Sequence, residues 1–125
     1  MSENKLVKPS ISVDLKNDRI RIHKNALHSI GDPDYVLLLV SPKDLTLAIL
    51  RSNRTDPKAH RITKPNISEK KCCELYSRSL VRSLHDVCND WQENRSYRLY
   101  GESIPNEGVV QFHMTDSNLV EGPKV

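Results

Sequence analysis

Residues 19–50 read RIRIHKNALHSIGDPDYVLLLVSPKDLTLAIL, and the way this stretch changes period decides the fold. Arg19-Ile20-Arg21-Ile22-His23 alternates polar with apolar. That spacing predicts a strand with Ile20 and Ile22 inward and Arg19, Arg21 and His23 outward. Ala26, Leu27 and Ile30 then fall at helical spacing, and Gly31 suits a helix C-terminus because it tolerates a left-handed backbone. Asp32-Pro33-Asp34 is turn chemistry. The unbroken apolar run at 35–40 predicts a strand covered on both faces, and 45–50 returns as its hairpin partner after the Ser41-Pro42-Lys43-Asp44 turn.

Upstream, residues 1–9 are polar and end at Pro9, which predicts a disordered lead-in. Ile11-Ser12-Val13-Asp14-Leu15 alternates and forms a hairpin with residues 19–23 across Lys16-Asn17-Asp18. Downstream, residues 51–65 are a polar loop with room for a short strand at His60-Arg61-Ile62. A long helix is predicted from about residue 68 to Trp91. It is capped by Asn66 or Ser68, carries a stripe of Cys73, Tyr76, Leu80, Leu84, Val87 and Trp91, and has Val81 and Cys88 widening that stripe. Glu74 with Arg78 and Arg82 with Asp86 stand at the four-residue spacing of an exposed helical face. Residues 96–100 and 109–114 predict a last hairpin around a 101–108 loop, and the tail from Thr115 is expected to be mobile. No strict repeat is visible, although 24–50 and 68–114 each read as helix then hairpin. The expected architecture is α+β: one domain over residues 10–114, a small antiparallel sheet or barrel of hairpins, one long amphipathic helix and a C-terminal hairpin.

Composition narrows the function classes. Hydrophobic residues make up only 37% of 125 residues and aromatics 5%, a thin core that a partner or second copy would complete. A net charge of +3 permits nucleic acid without demanding it. Three cysteines, Cys72, Cys73 and Cys88, form no disulfide framework and fit a reducing compartment. Residues 1–10 lack an apolar segment or cleavage pattern, and the run at 35–40 is too short to span a bilayer, so the expectation is a cytoplasmic protein with no membrane role.

Chemistry-bearing motifs are sparse. His85 and Cys88 share a helical spacing, but the sixteen positions from Cys72 to Cys88 would span roughly 24 Å of helix, too far for one tetrahedral metal site. No G-x-S-x-G elbow and no Gly-rich phosphate loop is present. Asp14 with Asp18 and Asp32 with Asp34 sit in turns, where Asp is expected for backbone reasons. The expectation is no enzyme, no cofactor and no metal. The loop after residue 50 is the densest positive stretch, with Arg51, Arg54, Lys58, His60, Arg61 and Lys64 against Asp56 alone. Arg19, Arg21, His23 and Lys24 are either a phosphate-binding edge or the charge that keeps an edge strand soluble.

Residues 19–31, followed by Tyr35-Val36-Leu37-Leu38 and Leu45-Thr46-Leu47-Ala48-Ile49, resemble the AbrB/MraZ-like swapped-hairpin domain. In that family, strand-helix-strand units interleave in pairs into one barrel, as a homodimer or as a tandem repeat. The family usually has Pro where His23 stands. The resemblance implies a bacterial DNA-binding regulator or antitoxin, with Arg19, Arg21 and Lys24 as contacts. The reading is therefore a small DNA-binding regulatory protein of bacterial or mobile-element type, acting as a homodimer. Its phosphate contacts are Arg19, Arg21, His23, Lys24, Arg51 and Arg54. The alternative is a protein-interaction module, a small inhibitor or accessory subunit that binds a larger protein without nucleic acid.

Overall fold

The computed structural model describes residues 8–62 and 72–120. The first alternating run forms β1 (Ser10–Asp14), turns at Asp18 with φ 52°, and returns as β2 (Arg19–His23). The register Ile11↔Ile22 and Val13↔Ile20 puts four aliphatic side chains on one face, each no more than 1% exposed. Helix α1 (Lys24–His28) follows, with His23 Nδ1 accepting from the Asn25 N–H at 3.2 Å. It ends as its sequence predicts: Gly31 takes φ 89°, and the Gly31 and Asp32 N–H groups donate to the His28 and Leu27 carbonyls.

β3 (Tyr35–Ser41) and β4 (Thr46–Ser52) pair along their whole length. The expectation that β3 is covered on both faces is overturned, since Val36 is fully buried but Leu39 is 50% exposed. An unbroken apolar run carries no period, so the sequence could not show that one face stays open.

β5 (His60–Arg61) lies on β3, and after the undescribed residues the chain returns as β6 (Cys72–Tyr76). The long helix is overturned here. Residues 68–71 and the proposed caps Asn66 and Ser68 lie outside the described residues, and 72–76 is a strand paired with β2. Within it Cys73 and Leu75 are buried while Cys72, Glu74 and Tyr76 point outward, a period of two that the helical stripe had masked. Glu74 thus pairs across the sheet instead of with Arg78. Ser77 turns extended and caps α2 (Arg78–Val87), its hydroxyl accepting from the Leu80 N–H at 3.3 Å. Arg82 reaches Glu93 at 3.3 Å and Asp18 at 3.7 Å, not Asp86.

β7 (Ser96–Ile104) extends through the 101–104 segment expected to be loop. A 3-10 turn (Pro105–Glu107) leads to β8 (Val109–His113), and a second (Met114–Asp116) leads to β9 (Asn118–Val120). β9 pairs with β7 inside the stretch expected to be a mobile tail. Gly101 is required in β7, because a Cβ there would lie 2.7 Å from the Phe112 ring.

The strands form one antiparallel sheet ordered β5-β3-β4-β8-β7-β1-β2-β6, with β9 on β7. The sheet curls into a nearly closed barrel, with 47% strand against 19% helix. An α+β fold built on a long helix is therefore replaced by a β-barrel with, among the described residues, two short helices. Tertiary pairing decided this: β6 gains a full ladder with β2, which outweighs a weak local helical preference.

The barrel is built from two interlocked halves. β1-β2-α1-β3-β4 is followed by β5-β6-α2-β7-β8 in the same order. Each half's hairpin closes on a turn that begins with proline and ends with a left-handed residue: 42–45 ends at Leu45 (φ 53°) and 105–108 at Gly108 (φ 63°). The backbone is also left-handed just before β3's turn at Gly31 and just before β7 at Asn94 (φ 70°). β4 pairs with β8 and β2 with β6, each antiparallel, while β1 lies on β7 and β5 on β3. A pseudo-two-fold axis therefore passes between Ala48 and Gln111 on one side of the barrel and between Arg21 and Glu74 on the other. Both helices feed the common core through Ala26, Leu27, Val81 and Leu84, and Trp91 stacks on Tyr97 at 4.8 Å.

Candidate functional site

The barrel wall has two chemically different outer faces. On the β3-β4-β8-β7 side, Val36, Leu47, Ile49, Val110 and Phe112 point into the core. Their neighbours point out. The register Leu37↔Leu50, Leu50↔Val109 and Val109↔Ile104 makes an unbroken apolar row across four strands. Leu39 stands above it beside Ala48, half exposed, and Ile104 is 37% exposed. β5 covers only Tyr35 and Val36 of β3, so among the described residues the backbone edge of 37–41 has no ladder partner. That edge carries no Lys, no Pro and no bulge, the devices that normally blunt an edge strand.

The opposite side, β7-β1-β2-β6, is polar. Arg98, Ser12, Arg21 and Glu74 form one cross-strand row, with Tyr100 opposite Ser10 and His23 opposite Cys72 in the next. Here β2 lies between two strands, so the expected basic edge is an interior strand's outer face. Arg19 bridges Asp14 at 2.7 Å and Glu74 at 3.5 Å, and Glu74 takes Arg21 Nε at 3.1 Å. Burial would raise the Asp14 carboxyl, but hydrogen bonds from Asn17 and Arg19 outweigh it and hold the group below its ordinary value. His23 is engaged with Asn25, and Lys24 is exposed.

Arg51 and Arg54 stand elsewhere. They line a recess of about 420 Å³ with Gly31, Asp32, Asp34 and Tyr35, where carboxylates and guanidinium groups are mixed. β4, which carries Arg51, is separated from β2 by three strands, β8, β7 and β1, around the barrel. The six basic residues singled out from the sequence are thus not brought together. The sequence reading missed the apolar row and Arg98. Alternation within 96–100 places Arg98 outward, but nothing local shows that β7 will lie beside β1.

Cys72 and Cys73 face opposite sides of β6, and Cys88 follows α2. Burial, with Asp90 adding to it, pushes the Cys88 thiol up to about 11, so it is an inert core group at neutral pH. Among the described residues no three His, Cys, Asp or Glu side chains converge as metal ligands, and no helix is long and apolar enough to cross a membrane. No family model, curated protein or solved structure matches this chain.

Proposed function

We propose that this chain is a protein-interaction module, a small inhibitor or accessory subunit whose docking surface is the apolar side of the barrel. The observation that carries the reading is the in-register row Leu37, Leu50, Val109 and Ile104, with Leu39 above it and, beside it, the edge of 37–41 that has no ladder partner among the described residues. The occupant that fits is an extended apolar segment of a larger protein. Main-chain hydrogen bonds along β3 would supply affinity, and alternate side chains would settle on the Leu37–Leu39 face. The competing reading, duplex DNA held by Arg19, Arg21, His23, Lys24, Arg51 and Arg54, now depends on cations split between two sides and partly ion-paired.

The test pairs capture with reconstitution. Immobilised wild-type chain and the double variant Leu39→Glu, Ile104→Glu are compared for a protein retained by the first and lost by the second, and binding of that purified protein is then measured. Both substituted side chains are already exposed, so the fold should survive, which circular dichroism checks. Burying one such side chain contributes about 1.5–3 kcal/mol, so affinity should fall at least about tenfold. Equal retention by both proteins would overturn the reading, as would salt-sensitive duplex binding lost on Arg19→Ala with Arg21→Ala. Sedimentation of the wild type alone shows whether a second copy occupies the edge instead.

A further inference from the structure

The polar side holds an arrangement that the interaction reading does not use. Ser10, Ser12, Arg21, His23, Cys72 and Arg98 line a recess of about 290 Å³ on the outer face of β7-β1-β2-β6. Its centre is Ser12, flanked in register by Arg98 on β7 and Arg21 on β2. Two guanidinium-bearing positions on next-but-one strands stand about 10 Å apart, a gap that two flexible arginine arms close around one tetrahedral anion. Arg98 is exposed and has no ion pair among the described residues, so its whole fork is available. Arg21 meets Glu74 through Nε, which leaves its two terminal amino groups directed elsewhere. Ser10 and Ser12 are half-buried at the floor, and among the described residues neither hydroxyl is hydrogen-bonded.

We propose that this recess binds the phosphoryl group of a small phosphate monoester. Arg98 supplies the countercharge and Arg21, whose own charge Glu74 balances through Nε, supplies further N–H donors; planar forks facing tetrahedral oxygens are the geometry for which arginine is favoured over lysine. The serine hydroxyls donate to the remaining oxygens. Glu74 closes the far end of the row and opposes extension of the ligand toward β6. A compact monoester therefore fits better than a nucleic-acid strand, whose next phosphate would meet that carboxylate.

Thermal unfolding with inorganic phosphate and with phenyl phosphate, each against sodium chloride at matched ionic strength, tests the assignment. Wild type should show a saturable rise in Tm with both phosphates and none with chloride, as expected of a ligand that binds only the folded state. Arg98→Ala, which removes an exposed side chain with no ion pair among the described residues, should unfold at the wild-type temperature without ligand and lose most of the rise. Ser12→Ala should weaken it less. No saturable rise in the wild type, or an undiminished rise in Arg98→Ala, overturns the proposal. A third arm uses an oligothymidine strand. Binding of that strand tighter than phenyl phosphate and sensitive to Arg98→Ala overturns the monoester assignment in favour of a nucleic-acid phosphate.

Discussion

Asp14 shows how a single side chain can serve the fold and limit function at once. Its carboxylate accepts from the Lys16 and Asn17 N–H groups at 3.1 Å, from Asn17 Nδ2 at 2.8 Å and from Arg19 at 2.7 Å, which fixes the β1–β2 turn. The same contacts hold Arg19 down on the barrel wall and away from any ligand. Because the folded carboxyl titrates below its ordinary value of 3.8, folding favours its ionised form. The stability it contributes is full above that ordinary value and is lost as pH falls through the lower, folded one. Asp14→Asn should therefore lower stability at pH 7 by about 1.5–3 kcal/mol, the range for hydrogen bonds to a charged group. The difference from wild type should shrink toward pH 2. Urea midpoints across that range check both the size and the sign.

Among the elements, β6 and α2 show what local sequence can and cannot report. The β3–β4 hairpin, the β1–β2 hairpin and the glycine that stops α1 were all legible, because strict alternation and turn chemistry act over a few residues. β6 was not. Cys73, Tyr76, Leu80 and Leu84 fit a helix face as well as Cys73 and Leu75 fit a strand face. The choice is made by β2, whose Ile20 and Ile22 lie opposite Leu75 and Cys73. The candidate surfaces were illegible for the same reason: Arg98 meets Ser12, and Leu50 meets Val109, only through pairings between residues far apart in the chain. Ser77 is where the chain switches from strand to helix, so Ser77→Ala should cost about 1 kcal/mol through loss of the cap. The loss should appear as a lower unfolding midpoint, accompanied by faster amide exchange in 78–87.

For the whole molecule, the pseudo-two-fold axis relates unlike surfaces. The apolar row through Leu37, Leu50, Val109 and Ile104 maps onto the positions of Tyr100, His113, Thr46 and Ser41, of which Ser41, Thr46 and His113 form a polar row. The backbone has kept its symmetry while the outer faces have been given different chemistry. The axis also states which half needs which. Ladders β1·β7, β2·β6, β3·β5 and β4·β8 all join one half to the other. Fragments 1–55 and 56–125, separated in the exposed turn after β4, should each lack sheet structure alone and regain it on equimolar mixing, as followed by far-ultraviolet circular dichroism. Native-like folding of either fragment by itself would contradict this account of the core.

The interlocking has a consequence for the protein's birth on the ribosome. β4 needs β8 and β1 needs β7, so residues 10–52 emerge during translation with half of their pairing surface waiting for residues 96–113 to be made. Until then the inner faces of β1 to β4, and the run at 35–40 above all, are exposed to solvent and to neighbouring chains. Synthesis of this barrel should therefore depend on chaperones that shield nascent apolar strands, and slowing translation of its second half should lower the soluble yield.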